Sequence, residues 1–408
     1  LATVNVVYTI TPVSTPGCLG DSYTVTVPID PEPVGSADVL TVCSDAGGLG
    51  YDLQVDNIDA LGNTLVVDSW SWSSVANPNV GNQTTGPSVA GTINDNLTNI
   101  TAVDQVVVYT VIPTTGGCSG DAFTLTVTVQ PEPVGVVGAL TECSDEVLGT
   151  GATITTTGTS VAAASYTIVT NANGLTQSGG TVSAGAGKAA DELIDDAWTN
   201  QTGASVDVEY TITPISSAGC SGAPFLVTAT IEYEPQTSAP VVLGSICSDD
   251  VTTYNLFVAD AATYNITTNS NGLTQSAGTV SAGTGKAANE LADDAWTNPT
   301  LATVNVVYTI TPVSTPGCLG DPYTVTVPID PEPVGAADVL TVCSDAGGLG
   351  YDLQVDNIDA LGNTLVVDSW SWSSVANPNV GNQTTGPSVA GTINDNVTNI
   401  TAVDQVVE

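Results

Sequence analysis

The sequence predicts an all-β chain built as a tandem array of small β-sandwich domains, and three observations carry that prediction. The stretch VVYTITPVSTPGCLGDSYTVTVPIDPEP at 6–33 returns in altered form at 107–133, 208–235 and 306–333. Within each copy large apolar residues alternate with small or polar ones, as Tyr23, Val25 and Val27 do with Thr24 and Thr26. That is the period of a strand with one buried face. The copies recur about every hundred residues, a length at which a domain can bury a core of its own.

In chain order, each repeat opens on a short strand ahead of a Cys-Ser-Asp motif, such as Val39–Val42. Strands are expected next at Tyr51–Val55 and Val66–Trp72, where Trp70 and Trp72 share a face and one of them should fill the core. In the middle repeats, Leu193 and Ala197 are spaced as on one helix face, which predicts a short helix over 190–198. Each repeat closes in a hairpin whose turn carries Gly-Cys-x-Gly. The hairpin ends at Pro-Glu-Pro, or Tyr-Glu-Pro at 233–235. Proline cannot donate to a central ladder, so the strand stops there and a stiff connector follows.

These signals divide the chain into a hairpin at 1–34, domains at 35–134, 135–235 and 236–334, and a partial domain at 335–408. Residues 1–108 recur at 301–408 with four changes: Ser22 to Pro322, Ser36 to Ala336, Leu97 to Val397 and Val108 to Glu408. The period is therefore three unlike domains followed by the first type again, and the expectation is one window on a longer array. The alternative is that the hairpin 1–34 of another chain supplies the strands that 335–408 lacks.

Composition narrows the function. There are 42 acidic residues against Lys188 and Lys286, with no His, for a net charge of −40. Nucleic acid and anionic membrane surfaces are excluded as partners, because both require cations to meet phosphate. No stretch has the unbroken apolar length for membrane insertion. Hydrophobic residues make up 42 % and fall in period-two runs, which argues for packed sheets over disorder. Without His or Arg, His-based nucleophilic triads and arginine clamps are ruled out, and the chain is expected not to be an enzyme.

The Cys-Ser-Asp opening, an Asn-x-Thr before the hairpin, Val-x-Tyr-Thr-x-x-Pro, Gly-Cys-x-Gly and the Pro-Glu-Pro exit together resemble the PKD-like repeats of very large secreted and surface-attached Bacteroidota proteins. The resemblance covers all four repeats. It implies immunoglobulin-like sandwiches in an extended array and a long extracellular stalk or adhesin at the cell surface.

Eight cysteines, two per repeat, in a chain without His argue for disulfides over zinc and for an oxidising setting. Two pairings are open. Within domains, Cys43 joins Cys118, Cys143 joins Cys220 and Cys247 joins Cys318, which leaves Cys18 and Cys343 to partners outside the window. In sequence order, Cys18 joins Cys43 and so on, from each hairpin loop to the next domain's opening strand. The sandwich topology favours the first, since the opening strand runs beside the last. Either bond would contribute about 2–4 kcal/mol.

Carboxylates near the junctions, Asp21, Asp30, Glu32, Asp45, Asp121, Glu132 and Asp145, have the hard oxygen chemistry that calcium prefers, although no Asp-x-Asp-x-Asp-Gly loop is present. Apart from calcium, no cofactor is expected. Asn82, Asn96, Asn99, Asn200 and Asn265 stand in Asn-x-Ser/Thr sequons, readable as glycosylation sites or as Asn-rich turns. Gly185–Lys188 and Gly283–Lys286 lack the first glycine and the Ser/Thr of a phosphate loop. Asp195 and Asp196 are adjacent, and an acid and base pair needs them to face each other.

The expected function is a non-enzymatic structural segment of a surface adhesin stalk or filament. Its partners would be further copies of the repeat, with surface glycans or other cells at a distance. The alternatives are a spacer or carbohydrate-binding array in a polysaccharide-degrading enzyme, and a filament subunit that polymerises by strand donation.

Overall fold

The computed structural model describes residues 2–236, 238–363 and 365–408; Leu1, where the first hairpin begins, lies outside the described residues, as do Thr237 and Thr364. Two compact units divide the chain, 1–232 and 233–408.

In the first unit, residues 38–130 form a closed sandwich. The opening strand Asp38–Cys43 runs parallel to the closing strand Phe123–Gln130, which pairs antiparallel with Gln105–Thr115, and Ser69–Ser74 pairs with the other edge of that strand. Alternation sets the faces: Phe123, Leu125, Val127 and Val129 are buried, and the threonines and Gln130 between them are half-buried. A second layer of short pairs, Tyr51–Asp52 with Thr92–Ile93 and Val80–Gly81 with Thr98–Asn99, covers this sheet. Leu53, Ile58, Ile93, Leu97 and Tyr109 fill the space between.

Both tryptophans of the repeat enter the core, not one. Trp72 meets Tyr109 edge-on at 5.7 Å and donates through Nε1 to the Ala90 carbonyl, 2.9 Å away. Their strand begins three residues later than its apolar run suggests, at Ser69. The strand expected at Tyr51–Val55 is only Tyr51–Asp52. There the Asp52 carboxylate accepts from the backbone N–H groups of Gln54 and Val55, at 3.0 and 3.1 Å, and turns the chain into a wide helical turn, Leu53–Ile58. That turn buries both Leu53 and Ile58, which a strand could not do on one face.

The second sandwich, also in the first unit, orders its main sheet as Gly138–Cys143, Phe225–Glu232, Val206–Ser216, Ala163–Asn171 and Gly185–Lys188, with Thr176–Gly179 and Ala197–Thr199 opposite. No helix forms over 190–198. Backbone bonds reaching back three residues, from Ile194 N to Asp191 O and from Asp196 N to Leu193 O, make tight turns, and the chain is drawn into the strand Ala197–Thr199 before a second helical turn can nucleate. Leu193 and Asp196 are both fully buried as a result.

The second unit holds a third sandwich of the same plan. Val241–Val242 and Ile246–Cys247 run parallel to Tyr323–Asp330, followed by Val304–Ser314, Ala261–Asn269 and Gly283–Lys286. Each unit also carries an open piece: the hairpin of Val4–Ile10 and Tyr23–Ile29 in the first, and residues 335–408 in the second.

Candidate functional site

The parallel pairing of opening and closing strands decides what each cysteine can reach. Cys43 ends the opening strand and stands in register with Gln130, the last residue of the closing strand. The hairpin loop that holds Cys118 precedes Phe123, at the opposite end of the same strand. Seven residues of extended chain separate the two ends, about 23 Å at the usual rise, far beyond the span of a disulfide.

Cys43 instead bonds Cys220, the loop cysteine of the following sandwich, with Cα atoms 5.4 Å apart and a sequence separation of 177. Neither expected pairing holds: Cys118 and Cys247 are thiols, as are Cys18 and Cys343, while Cys143 and Cys318 are both in the disulfide form. Cys143 therefore does not join Cys220, and Cys318 does not join Cys247. The opening strand does lie beside the last, as expected, but runs parallel to it.

The bond closes a junction that is also packed. A side-chain carbon on Gly222, in the loop of the second sandwich, would stand 1.8 Å from the carbonyl oxygen of Pro133. The corresponding distance from Gly120 to Pro33 is 1.9 Å. Only a residue without Cβ lets the hairpin loop lie on the preceding exit. The Pro-Glu-Pro exit is therefore a packed seat for the next loop and not only a connector.

A clamp on the same end holds Cys43 in place. In the Cys-Ser-Asp turn, Ser44 N donates to the Gln130 carbonyl, 2.8 Å away, and Asp45 takes a left-handed φ of 50°, which Asp tolerates better than most residues. Thr98 Oγ1 donates to Asp45 Oδ1 and Asn99 N donates to Ser44 Oγ, at 2.5 and 3.0 Å. Asn99 Nδ2 reaches the Val129 and Val103 carbonyls, both at 2.8 Å. The second sandwich repeats this with Ser144, Asp145, Thr199 and Asn200, whose Nδ2 donates to the Ile231 and Ala204 carbonyls at 2.7 and 2.9 Å.

The sequons at Asn99 and Asn200 are thus the clamp's own residues. Both side chains are buried, and the nitrogen a glycan would need is committed to two carbonyls. Asn96 is exposed and accepts from Gly47 N, Asn82 donates to Thr98 Oγ1, and Asn265 accepts from Gly285 N.

Of the acidic residues singled out for calcium, Asp45 and Glu132 come together. Burial, and then the Asp45 charge, raise the Glu132 carboxyl above its ordinary range. Asp21, Asp30, Glu32 and Asp121 are exposed, Asp30 accepting from Thr3 Oγ1, and Asp145 belongs to the second clamp. Among the described residues no three His, Cys, Asp or Glu side chains gather where they could hold one ion.

A second constellation, missed in sequence, lies inside the sandwiches. Asp196 is fully buried and accepts from Ser183 Oγ, Gln177 Nε2 and Tyr210 Oη, and Tyr210 in turn accepts from Trp198 Nε1, 2.9 Å away. Asp294 stands in the same place in the third sandwich with Ser281, Gln275, Tyr308 and Trp296. In the first, Tyr109 and Thr84 donate to Asp95. Burial raises the Asp196 and Asp294 carboxyls, and the hydroxyl hydrogen bonds offset part of that rise. The tyrosine hydroxyls are raised too, by burial first. The signal that could have found this hub is the Asp-Ala-Trp-Thr-Asn run, in which Asp196 stands just before the strand Ala197–Thr199 and two residues from Trp198. Asp195 makes none of these hydrogen bonds, and its charge adds to the rise of the Asp196 carboxyl.

Lys188 and Lys286 are occupied. Each pairs with a glutamate four residues on, Glu192 at 2.6 Å and Glu290 at 2.7 Å, and each donates to a backbone carbonyl. The Gly185–Lys188 segment is an edge strand and not a phosphate cradle.

Among solved structures, the extracellular domain of protocadherin gamma B4 is similar at 12 % identity over 99 % of this chain and 67 % of that one, with a TM-score of 0.27. Drosophila N-cadherin EC1–4 is similar at 14 % identity over 80 % and 83 %, TM-score 0.22, and a three-immunoglobulin segment of titin at 10 % over 73 % and 96 %, TM-score 0.28. No curated protein matches the chain. The family model described as a PKD-like domain matches residues 2–33, 40–133, 141–235 and 244–333, well over half of the sequence. The chain belongs to the PKD-like domain family.

Proposed function

We propose that this chain is a non-enzymatic segment of an extracellular stalk or filament that carries an adhesive element away from a cell surface. The observation that carries the reading is the Cys43–Cys220 bond, set across a junction and not inside a domain. A bond there fixes how one repeat follows the next, which a spacer does not need and a stalk does. Disulfides also suit an oxidising compartment outside the cytosol. The acidic surface keeps neighbouring arrays apart.

The carbohydrate-binding alternative needs a row of exposed aromatics, and Trp70, Trp72, Trp198 and Trp296 are all buried in the closed sandwiches. Immuno-electron microscopy of native cells with an antibody against residues 35–134 tests the stalk. Label at regular intervals along a surface fibre is expected; label confined to a soluble enzyme would sink it.

A further inference from the structure

The main sheet of the first sandwich turns one face to the core and the other to solvent, and the strand register lays out the outer one. Val39, Thr126 and Val108 stand in one row across three strands, and Thr41, Thr128 and Val106 in the next. Each alternates with buried neighbours, so the six share the outer face. Val39 is 71 % exposed, Val106 48 % and Val108 38 %. The strands Asp38–Cys43, Ser69–Ser74, Gln105–Thr115 and Phe123–Gln130 contain a single charged residue, Asp38, and its carboxylate accepts from the buried Tyr51 hydroxyl, 2.8 Å away. The outer face is therefore neutral and partly apolar on a chain of charge −40.

The other closed sandwiches are charged where this one is not. In the second, Asp207 opposite Thr230 and Glu209 opposite Thr228 hold the places of Val106 opposite Thr128 and Val108 opposite Thr126. The closing strand of the second ends on Glu232 and that of the third on Asp330, each in register with a cysteine as Gln130 is with Cys43. Neutrality belongs to the first sandwich.

We infer that this face docks the same face of a second copy of the chain, sheet against sheet, through the two rows that hold Val39, Val106 and Val108. Two copies of charge −40 repel wherever acidic surfaces meet, and the repulsion is least where neither brings a charge. The acidic surface that holds arrays apart thus also selects the face by which they can touch. A second copy returns the same apolar rows, as a two-fold contact requires, whereas a cationic partner would find no charge there to meet. Four strands about 4.8 Å apart and roughly seven residues long offer about 450 Å² on each copy, or about 900 Å² in the pair, the size of a weak and reversible contact. Such pairing goes beyond the stalk reading, since a stalk can stand singly or side by side with another.

The test is sedimentation velocity of the full chain from about 1 µM to about 1 mM, at low and high sodium chloride, with its thiols alkylated so that no cross-link mimics the contact. A reversible dimer that tightens as salt screens the surrounding charge is expected. Val106→Asp with Val108→Glu gives the first sandwich the residues that the second already carries at those places, so the strand should keep its fold, with hydrogen exchange across Phe123–Gln130 unchanged. That pair should raise the dissociation midpoint about tenfold or more, while Val242→Glu, exposed on the third sandwich, should leave it unmoved. A monomer at every concentration in high salt, a dimer indifferent to the paired change, or equal weakening by Val242→Glu overturns the inference.

Discussion

Residues 2–34 and 302–334 differ only at Ser22 and Pro322, yet they stand in different structures. Both form the hairpin in one register, from Val4 opposite Ile29 and from Val304 opposite Ile329. In the first copy the strand ends at Ile10 and every residue is exposed; in the second it runs on to Ser314, because Ala261–Asn269 pairs along its outer edge. Turn chemistry and alternation suffice for the hairpin. Strand length and burial come from neighbours. The pair 35–108 and 335–408 teaches the same from the other side: Asp38–Cys43 is a strand where Phe123–Gln130 lies beside it, and the same sequence at 338–343 is not.

The strongest way to break the contrast is Asp294→Ala. It takes the only acceptor from the buried Tyr308 hydroxyl, while Ser281 and Gln275 keep backbone carbonyls, and at 1–3 kcal/mol for a buried unsatisfied group the loss should be about 2–3 kcal/mol. Hydrogen exchange would then find the amides of Val304–Asp330 exchanging nearly as fast as those of Val4–Ile29. Unchanged protection would mean that apolar packing alone seats the hairpin.

A smaller effect follows from pH. The Asp196 and Asp294 carboxyls are raised in the folded chain, so the native state binds their protons more tightly than the unfolded state does. Stability from these groups is fullest below the ordinary carboxylate range and is lost as pH rises through the raised values. Thermal unfolding of the second and third sandwiches should therefore shift upward between pH 7 and about pH 4.5, and Asp196→Asn with Asp294→Asn should flatten the trend in calorimetry.

The smallest change sharpens the comparison. Tyr323 is buried with no partner for its hydroxyl, where the other closed sandwiches carry Phe123 and Phe225. Tyr323→Phe should stabilise the third sandwich by about 1 kcal/mol, while Tyr23→Phe in the exposed copy should leave the melting curve unmoved.

Much of this was written in the sequence at the scale of two to ten residues. The hairpins, their alternation and the stop at Pro-Glu-Pro follow from local pattern, and the opening strand beside the last follows from the sandwich topology. What local pattern did not carry was direction and depth. Whether Asp38–Cys43 runs with or against Phe123–Gln130 is invisible in either strand alone, and that choice alone moved Cys43 from Cys118 to Cys220. The role of Asn99 was hidden for a different reason: Asn-x-Thr is both a glycan acceptor and a turn that donates to a strand end, and only burial separates the two.

The parallel pairing of first and last strands has a mechanical consequence. Tension along the chain enters the first sandwich at Asp38 and would leave it at Gln130, at opposite ends of two strands bonded side by side, so the rungs from Asp38 to Cys43 are loaded in shear and must fail together. With the disulfide closed, the covalent path is shorter still. At Cys43 it crosses to Cys220 and leaves through Phe225–Glu232, so that residues 44–219, most of two sandwiches, lie off the load-bearing line and cannot be drawn out. Reduction of its disulfides would return that length to the chain, so that the redox state of the cysteines sets how far this part of the chain can stretch.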